Sequence, residues 1–314
     1  MLRYVLLRLS SLVVTLFIAS ILLFLFIEVL PGDPAQLMLG MNADPQSILA
    51  LRHNLGLDQP LFWRYIHWIT QMLQGDFGIS YTYDVSVGEL IRERLAVSIP
   101  LALFALFLSI GIGLPLGVIA ARNRGRWLDR VLMSTLQIGM AIPNFWLGLV
   151  LIFVCAVSLG LLPSGGFTAW NEDFFAAFRA LILPSLALAL PQSAIIARVM
   201  RSSLIDKLGE DYVRTARAKG LSKNRCLWHH GVRNALIPVL TILGLQFSFL
   251  IAGTVIIESV FYLPGLGRLV FQAISQRDLI VVKGVVMLLV TMTITISFII
   301  DIAYALVDPR LRSA

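Results

Sequence analysis

EDYVRTARAKGLSKNR, residues 210–225, is a polar and basic stretch set between two long apolar runs. Glu210 and Asp211 lead it, Arg217 and Lys219 close its first half, and Gly220 follows. That order suits a short helix, because acids at the start and bases at the end both complement the helix dipole. Gly220 fits the left-handed position just past the last turn, with Leu221 folding back toward Ala216. Tyr212, Val213 and Ala216 share one face, apart from Arg214 and Arg217. So short a helix is not stable alone in water. Lipid headgroups, the rest of the chain or a partner's groove must support it; a solvated basic loop is the competing reading.

The surrounding composition settles the class. Hydrophobic residues make up 58% of the 314 and charged residues 14%, with a mean hydropathy of +0.85. Soluble domains carry about a quarter charged residues, so the sequence describes an integral membrane protein. A net charge of +7 here reflects basic cytoplasmic loops rather than nucleic-acid binding. Cys155 lies in an apolar run and Cys226 in the polar stretch, at different depths, so no disulfide is expected.

Six segments are long and apolar enough to span: about 9–30, 99–121, 132–160, 181–199, 236–257 and 284–306. The first is expected to be a retained anchor, since PGDP follows it instead of a small-residue cleavage site. Pro115, Pro184 and Pro191 are tolerable inside such helices, and Pro143 predicts a tilt or kink in the third. Arg3, Arg8, the four arginines of 122–130, nine Lys and Arg between 198 and 233, and Arg310 and Arg312 all fall on one side if the N-terminus is cytoplasmic. Most acids fall on the other, so both termini are expected inside. The loop 31–98 is the largest external element. Its stretch 47–73 has helical spacing broken at Gly56 and Pro60, which predicts two short amphipathic helices, and Gly75–Gly78 predicts a tight turn.

No phosphate-binding loop and no metal-protease, paired-cysteine or serine-nucleophile motif is present. Adjacent His229 and His230 point apart on a helix. His53 and His67 sit in the external loop, where a substrate role and a simple interfacial role both fit. Glu28 and Glu258 stand at external span ends, where they can reach water. Asp301 lies inside the sixth span, either paired with a base such as Arg198 or placed for substrate. Gly111, Gly113, Gly117, Gly244 and Gly253 are expected at close helix contacts, with some of them lining a path through the bundle because small residues leave room.

DYVRTARAKGL followed by RNALIPVL closely resembles the cytoplasmic loop of inner-membrane permease subunits of ABC importers, in the dipeptide, oligopeptide, glutathione and nickel group. Aligned on Gly220, that family's EAA triplet falls on Arg214, Thr215 and Ala216; the glutamate is absent. The distal Leu-Pro position falls on Val232 and Arg233. LPGDP at 30–34, LGLDQPL at 55–61, GDFGIS at 75–80, IPNFWLG at 142–148, ESVFYLPGLGRLVFQAISQRD at 258–278 and DPRLR at 308–312 resemble the same group. The resemblance runs end to end.

It implies an all-α membrane fold of the type I importer permease kind, with six spans, both termini inside and a large extracytoplasmic loop between the first two. Residues 1–98 would form anchor and loop, and 99–314 the permease bundle, with a coupling loop at about 200–235. Asp211, Tyr212, Val213, Arg214, Thr215, Ala216, Arg217, Ala218, Lys219 and Gly220 would form the coupling helix, with Tyr212, Val213 and Ala216 buried in an ATPase groove. Asp76, Phe77, Glu258 and Asp301 would be binding-protein or pathway contacts. The chain would not be catalytic and would hold no metal or cofactor. ATP and Mg would sit on two partner ATPase subunits, beside a homologous second permease, forming a heterodimer, and an extracytoplasmic solute-binding protein. The place is the bacterial cytoplasmic membrane. Di- and oligopeptides are the expected cargo, with glutathione or a nickel chelate as alternatives. A stand-alone secondary transporter is the reading from a different class; it predicts inverted repeats, and none is evident.

Overall fold

Apolar segments of this length have no water to satisfy their backbone, so they close their hydrogen bonds internally as helices. The computed structural model describes residues 2–29, 35–36, 44–54 and 56–307. The stretches 30–34 and 308–312 lie outside them. The spanning helices are α1 (Leu2–Val29), α4 (Val87–Arg122), α7 (Phe174–Gly209), α9 (Lys223–Val260) and α11 (Leu279–Val307). The third expected span is broken: α5 (Trp127–Ala141) and α6 (Asn144–Leu151) meet at 101°, and α6 runs on as a π-helical stretch to Ser158. The break falls at Ile142 and Pro143, in extended conformation, because proline disfavours helical geometry in the residue before it.

Helix α7 is the most buried span and packs along α4. Glycine makes this closeness possible. A Cβ on Gly113 would stand 2.7 Å from the Ser193 carbonyl oxygen, and one on Gly117 would stand 2.6 Å from that of Ala197. Gly244 closes on Ile300 and Gly253 on Leu188. These contacts all lie within one chain. Four of the five glycines expected at close contacts therefore draw this bundle together; Gly111 has open space beside it.

The peripheral pair α1 and α11 is tied at its cytoplasmic end by Arg8 and Asp301, 3.1 Å apart. Arg198, the partner expected for Asp301, instead approaches the Met140 sulfur. Outside the membrane, α2 (Pro45–Asn54) and α3 (Leu61–Leu73) flank the Gly56–Pro60 turn. Helix α3 lies against α1, where the Tyr65 and Ser20 hydroxyls are 2.8 Å apart and Phe24 stacks on Trp68. The Gly75–Gly78 turn is closed by the Gly78 N–H donating to Asp76 Oδ1 at 2.9 Å. A last short helix, α10 (Leu266–Gln276), folds back over the outer end of α9.

Candidate functional site

The opening stretch folds as a separate helix. Helix α7 ends at Gly209, Glu210 turns the chain in extended conformation, and α8 runs from Asp211 to Ala218. Its far end is a Schellman stop. Gly220 sits at φ +92°, Leu221 N–H donates to Ala216 C=O at 3.2 Å, and Gly220 N–H donates to Arg217 C=O at 3.0 Å. Asp211 pairs with Arg214 at 3.2 Å, and Glu210 with Lys207. Ser222 then caps the start of α9 by accepting from the Arg225 N–H.

The side expected to enter a partner's groove has a different neighbour. Val213 and Ala216 are buried with Cys226 against Leu208 and Leu221 of the same chain. Folding this apolar patch inward supports the helix that length alone cannot. Tyr212 stays partly exposed, with its hydroxyl accepting from Asn234 Nδ2 at 3.1 Å and its ring set against His230. What faces outward is Asp211, Arg214, Thr215, Arg217, Ala218, Lys219 and Gly220. Trp228 joins them, 61% exposed on the π-helical turn Leu227–Val232. That tryptophan was not singled out from sequence. Its signal was an aromatic inside an otherwise basic, polar loop.

A buried ion pair fixes the same end of the bundle. Arg201, two turns before the end of α7, donates from Nε to Asp129 Oδ1 at 2.6 Å and from Nη2 to Oδ2 at 2.7 Å. Asp129, in the first turn of α5, is 3% exposed and also accepts from the Gly125 N–H. The clamp joins the 122–130 loop to the helix that leads into α8. Removing one partner of such a pair strands a buried charge, at a cost of about 3 kcal/mol. Asp129→Ala and Arg201→Ala are each expected to lower the melting temperature of the purified protein, and the double variant to lose much less than the sum. Additive losses would show that the two side chains do not act as a pair.

At the outer face, Glu258 does not reach water. It is fully buried and accepts from Ser98 Oγ at 2.6 Å and from the N–H groups of Gly267 and Arg268 at 2.7 and 3.2 Å. A carboxylate at the start of α10 satisfies donors that have no partner inside the helix. Asp278, unremarked in the sequence, does likewise: it is buried and accepts from Ser80 Oγ, the Thr82 N–H and the Val281 N–H. Beside it the Tyr81 phenol is pushed up to about 12, first by burial and then by the Asp278 charge. Phe77 packs into the cluster around Val87 and Leu266, while Asp76 stays exposed.

A helical bundle whose built polar machinery is a cytoplasmic handle and an acid-stapled outer cap has the form of a transport subunit. The chain belongs to the family of binding-protein-dependent transport system inner membrane components, matched over residues 113–313, with that group's N-terminal region matched over residues 1–102. It is 43% identical over 312 residues to the glutathione transport system permease protein GsiC of Escherichia coli (strain K12), covering 99% of each chain. The protein of the same name from Salmonella typhi is equally similar. In fold it resembles a chain of the MetNI methionine ABC transporter, with a TM-score of 0.59 at 21% identity over 70% of this chain and 96% of that one. A chain of an amino acid ABC transporter gives 0.52, covering 69% and 93%. The protein is thus an inner-membrane ABC importer permease subunit of the dipeptide and glutathione group. Such a subunit works with ATPase and solute-binding partners.

Proposed function

We propose that this chain is one transmembrane half of an importer for short peptides, glutathione among them, coupled to ATP hydrolysis through α8. The peptide cargo is supported by full-length similarity to glutathione permeases. ATP and Mg belong to two separate ATPase subunits, and a homologous permease completes the pathway as a heterodimer. A solute-binding protein delivers cargo to the 31–98 loop and the 258–278 segment. Residues 1–98 act as anchor and loop, and 99–314 as the moving bundle.

The observation that carries the coupling role is the preformed state of α8. Its apolar side is already held by Leu208, Leu221 and Cys226, so its basic side and Trp228 are presented to a partner as a rigid surface. Closure of the ATPase pair displaces that surface, and the Asp129–Arg201 clamp keeps α5 and α7 moving together, giving rigid-body alternation between inward and outward openings.

Trp228→Ala tests the contact. An exposed tryptophan that becomes an interface anchor contributes about 2 kcal/mol or more. Co-expressed ATPase subunits of the same transport system should co-purify about thirtyfold less with the variant than with wild type. The melting temperature of the permease should stay unchanged. Equal recovery of ATPase with both proteins would refute docking at this face.

A further inference from the structure

A polar cavity of about 350 Å3 opens between the outer ends of α1 and α11, beside α3 and the turn at 76–81. Lys283 projects into it from the first turns of α11. Its Nζ lies 4.9 Å from the Phe24 ring centroid and 5.4 Å from that of Trp68. The rings attract the ammonium by their faces, and among the described residues no oxygen accepts its N–H groups. Among the described residues no carboxylate lies within ion-pair distance of it; Glu28, the nearby acid, is paired with Arg64 on the same wall. His67, Gln71 and Tyr81 add further donors, and Asp76 stands on the rim with one oxygen engaged by Gly78.

We propose that this cavity is an oxyanion site that takes the phosphate of an outer-leaflet phospholipid, with Lys283 as its principal ligand. The location favours lipid over dissolved solute. Helices α1 and α11 are the least buried of the spans, which leaves their outer faces open to acyl chains. Helix α3 next to the cavity exposes Leu61, Phe62, Trp63 and Leu73, the profile of a helix lying at headgroup level. The cavity wall is polar enough for a headgroup, and basic pockets between spanning helices are where headgroups bind. Phosphate held there would join α1, α3 and α11 at the outer face, as Arg8 and Asp301 join two of them at the inner one.

The test uses the intact importer complex, loaded with phosphatidylglycerol in nanodiscs, washed with detergent and weighed by native mass spectrometry. Wild type should retain one phosphatidylglycerol per copy of this chain. Lys283→Met should lower that occupancy about tenfold, the loss of one charge-assisted hydrogen bond, and Lys283→Arg should keep it. Millimolar glutathione should displace none. Equal retention by wild type and Lys283→Met would overturn the proposal. So would displacement by glutathione, which would make this a site for a solute carboxylate. The readout is lipid mass, so it stands or falls separately from the transport reading.

Discussion

Vesicles carrying Gly220→Val are expected to lose about nine-tenths or more of ATP-driven uptake, with the protein inserted normally. The cause is local. Gly220 holds φ +92° with no heavy atom within 4 Å of where a Cβ would stand, so the added Cβ itself meets no clash. It meets backbone strain instead, about 1–2 kcal/mol in the left-handed region and more for a β-branched residue. A helix of eight residues has little margin against that. The chain relieves the strain by leaving the left-handed conformation. The two hydrogen bonds from Leu221 and Gly220 to Ala216 and Arg217 then break, Leu221 leaves Val213, and α8 loses its defined surface. Gly220→Asn, which tolerates the same φ, should keep most of the uptake. Both variants are compared by ATP-driven accumulation of a labelled peptide, with insertion scored by membrane fractionation. Wild-type uptake by the valine variant would remove α8 from the coupling path.

Glu258→Ala should be the most destabilising substitution at the outer face. It strands the Ser98 hydroxyl and the N–H groups of Gly267 and Arg268 around a fully buried position, and it leaves a void. Each orphaned donor costs about 1–3 kcal/mol, so the total is on the order of 4 kcal/mol. The Ser98 oxygen already accepts from the Leu266 N–H. The melting temperature in detergent, followed by tryptophan fluorescence, should fall by about ten degrees. Gly265→Ala should reproduce the loss by another route, because its Cβ would stand 2.1 Å from the Glu258 carboxyl carbon. Glu258→Gln should fall between: its oxygen can keep accepting from Gly267 and Arg268, while its NH2 replaces the oxygen that accepted from Ser98 and must donate to that hydroxyl instead. A Glu258→Ala protein that melts with wild type would show the carboxylate to be dispensable.

The class and most of the α8 boundaries were legible because they depend on short-range signals. Runs of apolar residues mark spans, and the acid-first, glycine-last order of 210–220 marks both ends of α8. The turn at Gly75–Gly78 was readable for the same reason. Pro143 announced a kink, though not a 101° reversal, since the angle depends on what the two halves pack against. Pairings across the chain were illegible. Asp129 and Arg201 are 72 residues apart, and a lone acid in a basic loop gives no sign of its partner. Glu258 looked exposed because a sequence places it at a span end but does not show α10 closing over it. Val213 and Ala216 were correctly put on one face, while which neighbour covers that face is a tertiary fact. Lys283 gave no signal, because its significance lies in Phe24 and Trp68 being brought around it.

Helix α7 has 36 residues. At about 1.5 Å of rise per residue it measures about 54 Å, well beyond the roughly 30 Å of a hydrocarbon core. A helix that overshoots the bilayer on this scale works as a lever. Pivoting where Gly113 and Gly117 meet it, near Ser193 and Ala197, a tilt of about 5° would move its outer end by about 3 Å and its inner end by about 2 Å. On the proposed coupling, a stroke at the inner end would reach the outer end about one and a half times larger, with no need for any helix to unwind.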